Sequence, residues 1–117
     1  MRYNSLLSSA SKVAQTLRAM GNDHRLKILC HLSEGERTVT ELCDLIGISQ
    51  SALSQHLAKL RLDHLVRNRR QAQNIYYSIA SEDILEILST LQSCLRGKTA
   101  AALYGNGQLA PNEKATA

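Results

Sequence analysis

Two helical patterns follow each other in the middle of the chain with one glycine between them, at Gly47. The first begins at Thr38, whose hydroxyl can accept from first-turn amides, while Glu41 is placed to reach back to the start of the helix. The second begins at Ser49, a preferred capping residue. Its apolar residues recur at helical spacing and predict a buried stripe of Leu53, Leu57 and Leu60. The sequence therefore predicts two helices joined by a tight turn.

The predicted outer face of the second helix is small and polar. It carries Gln50, Ser51, Ser54, Gln55 and Lys59. No acidic residue occurs in this helix before Asp63. Amide and hydroxyl groups can pair with base edges in the major groove, whereas a carboxylate there would be repelled by phosphate. The pair of helices matches the helix-turn-helix arrangement.

Two short strands are predicted after this helix, at residues 65–69 and 74–79. In the second strand apolar and polar residues alternate, as a half-buried strand requires. The connecting tip, residues 70–73, is polar and basic. A basic hairpin after a helix-turn-helix is a wing, which can place cations along phosphates or in a minor groove.

The charge of the chain is concentrated in the same segment. The net charge is +4, and the stretch between Gly47 and Ile79 holds five cations and one anion, so it accounts for the whole excess. Such a concentration is expected where a polyanion docks on one face.

The remaining helices are predicted from apolar spacing. A first helix spans residues 6–20, and a second spans 23–33 with Leu26, Leu29 and Cys30 on one face. A last helix is capped by Ser81, and its apolar stripe is too wide for one small domain to cover. We therefore expect it to pack with the first helix against a second copy of the chain. With no Phe or Trp and one Pro, the predicted fold is mainly α, with five helices and a two-stranded wing.

The predicted domain spans residues 5–96, followed by a disordered tail at 97–117. No run of about 18 apolar residues and no leader pattern occurs, so we expect a cytoplasmic protein. Three cysteines are an odd number, which argues against a disulfide framework. Redox chemistry, metal binding and simple packing remain as explanations for them.

Two other classes of protein are alternatives to DNA binding. An enzyme is not expected. The sequence has no Ser, His and acidic residues at a recognisable catalytic spacing, no phosphate-binding loop and no run of metal ligands. No cofactor is predicted. A helical dimerisation module that does not bind DNA would leave the concentrated basic charge unexplained.

The segment at residues 49–61 and the wing strand ending in Ile75-Tyr76-Tyr77 resemble the ArsR/SmtB family of bacterial winged-helix repressors, over residues 10–96. The resemblance implies a homodimer that binds an inverted repeat in promoter DNA and is released by an inducer. The DNA-binding residues that it implies are Gln50, Ser51, Ser54, Gln55, His56, Arg69, Arg70 and Gln71. Lys59, on the predicted outer face of the same helix, is expected to act with them. The chain departs from the family at the wing tip, where Ala72-Gln73 replaces the usual Gly-Arg.

The positions of the cysteines and histidines indicate which inducers the chain could bind or react with. Cys43 lacks the second cysteine that thiolate metal sites of the family use, and none of the four histidines lies in the last helix, so neither familiar metal site is expected. Cys30 and Cys94 resemble the cysteine pair of the persulfide- and redox-responsive BigR/SqrR/HlyU branch. That resemblance implies a dithiol that reactive sulfur species or oxidants convert to a disulfide or polysulfide bridge. The alternatives are that each cysteine only packs in an apolar stripe, or that the regulator uses an atypical metal site or no inducer.

Overall fold

The computed structural model describes residues 1–97, so the tail predicted for 97–117 lies almost wholly outside the described residues. The described part contains six helices: α1 (Asn4–Ser8), α2 (Ala10–Met20), α3 (Asp23–Leu32), α4 (Val39–Ile46), α5 (Gln50–Leu62) and α6 (Glu82–Arg96). It contains three strands: β1 (Arg37–Thr38), β2 (Val66–Gln71) and β3 (Asn74–Ile79). The chain divides into two compact units inside α6, one at Met1–Ile84 and one from Leu85 onward.

The predicted first helix is interrupted, so the expectation of five helices is wrong by one. Ser9 leaves the helical conformation, with φ −111° and ψ 19°, and separates α1 from α2. The Ser8 hydroxyl donates to the Asn4 carbonyl oxygen, 2.9 Å away. Serine side chains that bond to nearby backbone compete with the helical ladder, which accounts for a break in a Ser-Ser sequence.

The pair of central helices is present as predicted. Thr38 and Glu41 form the reciprocal capping box at the start of α4, and Gly47 ends that helix in the left-handed region, at φ +79°. Ser49 caps α5 through its side-chain oxygen, which accepts from the amide of Ala52 at 3.2 Å. The core that holds α3, α4 and α5 is aliphatic, with the fully buried side chains Ile28, Leu29, Leu42, Leu53, Leu57 and Leu60.

A backbone motif at the end of α5 turns the chain into the sheet. The Leu65 amide donates to the Leu60 carbonyl at 2.9 Å, and the His64 amide donates to the Arg61 carbonyl at 3.0 Å. This is the Schellman pattern, with His64 in the left-handed position at φ 65°. Leu65, which follows, is buried and begins the path into β2.

The wing is a two-stranded hairpin of β2 and β3, as predicted, and it belongs to a three-stranded antiparallel sheet in the order β1-β3-β2 whose third strand was not expected. The added strand pairs Arg37 with Tyr77 and Thr38 with Tyr76. A two-residue strand is too short to show an alternating pattern, and it forms only because β3 offers a free edge. The hairpin turn contains only Ala72 and Gln73, because Gln71 pairs with Asn74.

The last helix begins at the end of the first unit. The amide of Asp83 donates to the Ser81 hydroxyl at 3.1 Å, as the predicted cap requires, and Ile84 is buried. In the second unit, Leu85 and Leu91 of α6 are exposed. None of the helices within residues 1–97 is long and apolar enough to cross a membrane.

Candidate nucleic-acid interface

The first turns of α5 present an open polar surface. Gln50, Ser51, Ser54 and Gln55 are all exposed. Within the described residues, the side chains of Gln50, Ser54 and Gln55 make no hydrogen bond, and the Ser51 hydroxyl lies 3.5 Å from that of Ser49. The buried leucines on the opposite side of α5 fix the rotation of the helix, so these donors and acceptors are free to face a ligand.

His56 follows these residues but lies in different surroundings. It is half-buried, and its ring centroid lies 5.5 Å from that of His24 on α3, with the planes inclined by 48°. Burial, together with the charges of Arg25 and His24, lowers the pKa of His56 below its ordinary value. Its imidazole is therefore engaged at the contact between α3 and α5, unlike the open side chains of Gln50 and Gln55.

Lys59 is paired with the acidic residue at the end of its own helix. Its Nζ lies 3.1 Å from Oδ2 of Asp63, whose side chain is only 4% exposed. Asp63 also accepts from Nε2 of Gln15 on α2, at 3.0 Å. Burial by itself raises the pKa of Asp63, but the bonds from Lys59 and Gln15 outweigh it and lower that pKa. Asp63 thus links α2 to the end of α5 through Gln15 and compensates the charge of Lys59.

Arg69 of the wing is bound within the protein by three groups. Its Nε and Nη2 donate to the two carboxylate oxygens of Glu36, at 2.9 and 2.8 Å. Its Nη1 donates to Oε1 of Gln71 at 2.7 Å, and its guanidinium carbon lies 4.6 Å from the centre of the Tyr76 ring. The hydrogen bonds from Arg69 lower the pKa of Glu36. We refer to Glu36, Arg69, Gln71 and Tyr76 as the wing clamp.

The other basic side chains of the wing are open. Arg67 and Arg70 are exposed, and neither forms an ion pair within residues 1–97. Arg70 is adjacent to Gln71, the last residue of β2 before the turn. The freely available positive charge of the wing is therefore at Arg67 and Arg70.

Sequence reasoning missed Glu36 and His24. Glu36 is 33 residues from Arg69, and only the pairing of β1 with β3 brings them together. In the sequence Glu36 precedes α4, and two helices separate it from the hairpin, so no local pattern identifies Arg69 as its partner. His24 lies beside His56 because α3 packs on α5, and the spacing of residues within either helix does not predict that contact.

The cysteines occupy three separate helices, and all are free thiols. Cys30 was predicted on an apolar face but is exposed, because Ile28, Leu29 and Leu32 form the buried side of α3. Partial burial of its sulfur still raises the pKa of the Cys30 thiol. Cys43 and Cys94 are half-buried. Within the part of the chain that the structure describes, no three His, Cys, Asp or Glu side chains lie together as metal ligands would.

The helix-turn-helix and its adjoining strand also define the class of protein. The family described as bacterial regulatory protein, arsR family, matches residues 22–68, from the cap of α3 into β2. Together with the relatives below, this match shows that the chain belongs to the ArsR family of bacterial transcriptional regulators.

The chain is similar to HlyU and NolR over most of its length. The transcriptional activator HlyU of Vibrio cholerae is 41% identical over 91 residues, which are 78% of this chain and 84% of HlyU. The nodulation protein NolR of Rhizobium meliloti is 45% identical over 105 residues, 90% of this chain and 79% of NolR.

Solved structures of ArsR-type regulators also resemble the fold of this chain. The transcriptional repressor BigR from Xylella fastidiosa has a TM-score of 0.75 and 33% identity, covering 80% of this chain and 95% of BigR. Reduced HlyU from Vibrio cholerae has a TM-score of 0.68 and 39% identity, covering 79% and 94%. A homodimeric winged helix-turn-helix DNA-binding domain from Mycobacterium bovis has a TM-score of 0.71 and 28% identity, covering 90% and 94%. The winged helix-turn-helix fold and the HlyU- and BigR-like branch predicted from the sequence are thereby confirmed.

Proposed function

We propose that the protein is a cytoplasmic repressor that binds an inverted-repeat operator as a homodimer through α5 and the wing. The observation that carries this proposal is the exposed polar face of α5. Within the described residues, the side chains of Gln50, Ser54 and Gln55 are unoccupied there, while the opposite face is anchored in the core. A recognition helix needs this combination, because its register must be fixed while its outer groups remain free to pair with bases. The protein acts without catalysis, as a switchable ligand of DNA.

The residues divide by chemistry into two roles. Gln50, Ser51, Ser54 and Gln55 read base edges, because amides and hydroxyls can discriminate between base pairs. Arg70 and Gln71 contact the backbone or minor groove beside the wing, where Arg67 adds charge. His56, Lys59 and Arg69 are already engaged by His24, Asp63 and Glu36, so their part in DNA binding requires those contacts to be shared or exchanged.

The first prediction distinguishes residues that recognise bases from residues that contact the DNA backbone. Gln55→Ala should reduce discrimination between the operator and altered sequences, at a cost of about 1–3 kcal/mol at the site it reads. Arg70→Ala should weaken binding to all sequences alike and make the slope of log affinity against log salt shallower by about 0.9. Fluorescence anisotropy with operator and scrambled duplexes at several salt concentrations measures both effects. Equal loss of discrimination in both variants would contradict the assignment.

The inducer is proposed to act on the thiols of Cys30 and Cys94. Cys30 is exposed and Cys94 is half-buried, so a small persulfide can reach each. A thiolate attacks the outer sulfur of the persulfide RSSH, which gives a protein persulfide and releases the thiol RSH. Attack of the second thiolate on the inner sulfur gives a disulfide and hydrosulfide. Two protein persulfides instead condense to a trisulfide and release hydrogen sulfide.

The second prediction tests this chemistry. After persulfide treatment, the wild-type protein should carry a bridge between Cys30 and Cys94 and lose DNA binding. A disulfide bridge appears as the loss of two hydrogens, and a trisulfide bridge adds the mass of one sulfur to that change. Cys30→Ser and Cys94→Ser should each keep DNA binding under the same treatment, and Cys43→Ser should respond like the wild type. Mass spectrometry and anisotropy on the same samples make the comparison. Normal release in either Cys30→Ser or Cys94→Ser excludes the dithiol mechanism and leaves the DNA-binding proposal standing.

A further inference from the structure

The wing clamp places a carboxylate on the edge of the Arg69 guanidinium that can also bind a phosphate. Glu36 accepts from Nε and Nη2 of Arg69, the edge of the guanidinium that binds carboxylate and phosphate in the same two-bond geometry. Gln71 and the ring of Tyr76 hold the remaining parts of the same group. Arg69 is thus already oriented for an oxyanion, and an oxyanion of the protein occupies it.

The sheet does not depend on this ion pair for its stability. The side chain of Arg69 is 49% exposed and that of Glu36 is 39% exposed, and ion pairs so open to water contribute little to folding. The strands are joined by their backbone ladders, and Leu65 and Val66 anchor the start of β2 in the core. Glu36 can therefore be exchanged for another anion at small cost.

The negative charge of Glu36 also opposes DNA binding by the wing. Within β2 and β3 no residue is acidic, and Arg67 and Arg70 lie on the same strand as Arg69. A carboxylate beside such a surface repels phosphate and lowers the charge that the wing offers. Its bidentate bond to Arg69 masks one of the three arginines of β2 while the protein is free.

We propose that Glu36 is an internal competitor for Arg69, and that a DNA phosphate displaces it when the wing docks. The inference rests on the proposed DNA-binding function and adds that Glu36 sets its strength. Binding must break the carboxylate contact before Arg69 can bind phosphate, so the affinity is lower than the charge of the wing would give. The unmasked Arg69 then contributes one phosphate contact.

A double-mutant cycle tests the competition. Glu36→Gln should tighten binding by about threefold to tenfold, because the amide holds Arg69 more weakly than the carboxylate does. Arg69→Ala should weaken binding and make the salt slope shallower by about 0.9, which is the loss of one phosphate contact. In the Arg69→Ala background, Glu36→Gln should give no further gain. Anisotropy titrations with a duplex from the chain's own upstream region and a scrambled duplex provide all four affinities.

Two further variants control for charge and folding. Glu34→Gln removes the same charge two residues earlier, where Glu34 pairs with Arg37 at 3.3 Å, and should leave affinity unchanged. Glu36→Ala should tighten binding as Glu36→Gln does, and thermal unfolding checks that each variant is folded.

Two results would overturn the competition. A gain from Glu36→Gln that persists without Arg69 means that the carboxylate acts only by general repulsion. Weaker binding in Glu36→Gln means that Glu36 positions Arg69 instead of competing for it. If the wild-type protein itself binds operator and scrambled duplexes equally, the proposed function is wrong, and the inference that rests on it is wrong as well.

Discussion

Gln55 and His56 are neighbours in the sequence, but α5 turns them toward different surroundings. Gln55 is exposed with its amide unoccupied, whereas His56 is half-buried beside His24 and near the positive charge of Arg25. One step along a helix rotates the side chain by about 100°, which is enough to move it from the open face to the contact with α3. Adjacent residues of α5 therefore differ in availability: Gln55 is open to a ligand, as the proposed reading role requires, and His56 packs against α3.

The third prediction concerns this histidine and pH. Because the folded state lowers the pKa of His56, the unfolded chain binds a proton more readily. The contribution of neutral His56 to stability is complete above about pH 6.5, the ordinary pKa, and is lost as the pH falls through the lowered value. Urea unfolding should show a midpoint that decreases from pH 7.5 to pH 5.5, and His56→Gln should decrease less. An identical decrease in His56→Gln would show that other groups cause the effect.

At the scale of elements, both ends of α5 are fixed by specific bonds. The Ser49 hydroxyl caps the start, and the Schellman motif at His64 and Leu65 fixes the end. The residues proposed to read bases lie within the first two turns, immediately after the Ser49 cap. The position of the reading surface thus depends on a cap that is not itself expected to touch a base.

The fourth prediction separates the cap from the reading surface. Ser49→Ala removes the acceptor of the Ala52 amide and should lower the free energy of unfolding by about 1 kcal/mol. Ser54→Ala, at an exposed position of the same helix, should change it by less than about 0.5 kcal/mol while reducing operator discrimination. Chemical denaturation at fixed protein concentration and DNA titration are measured on both variants. Unchanged stability in Ser49→Ala would contradict the role of the cap.

The sequence was most informative where structure is determined by adjacent residues. The capping box at Thr38, the helix end at Gly47 and the Ser49 cap are local features, and each was predicted with its helix. The break at Ser9 follows from a balance between a helical pattern and serine side chains, which spacing alone does not weigh. β1 and the contact between Glu36 and Arg69 depend on strands that are distant in sequence, so no local pattern predicted them. The open residues of α5 were predicted by type, but the engagement of His56, Lys59 and Arg69 required their neighbours in space.

At the scale of the whole molecule, exposed leucines support the proposed dimer. In the first unit, Leu6, Leu7 and Leu17 of α1 and α2 are each about half exposed. In the second unit, Leu85 and Leu91 of α6 are also exposed. Burial of such side chains against a second copy is favourable by about 25 cal/mol per Å² of apolar surface. An inverted-repeat operator requires the two-fold symmetry that such a dimer has.

The fifth prediction tests the use of these leucines. Leu91→Glu should shift the protein toward monomer, because it would bury a carboxylate without a partner in the interface. Leu62→Glu, at a position of α5 that is 73% exposed, is the matched control and should remain dimeric. Sedimentation equilibrium over a range of concentrations measures both. A dimer of unchanged affinity in Leu91→Glu would place the interface elsewhere.

Recognition of a specific DNA sequence by the wild-type protein is tested by one titration. Duplexes from the chain's own upstream region and scrambled duplexes of equal length and composition are titrated by anisotropy near physiological salt. We expect a dissociation constant of about 10 nM or below for one upstream duplex, at least about a thousandfold tighter than for its scrambled counterpart. We also expect that raising the salt weakens binding steeply. Equal affinity for every upstream duplex and its scrambled counterpart would mean that the protein does not recognise a sequence there.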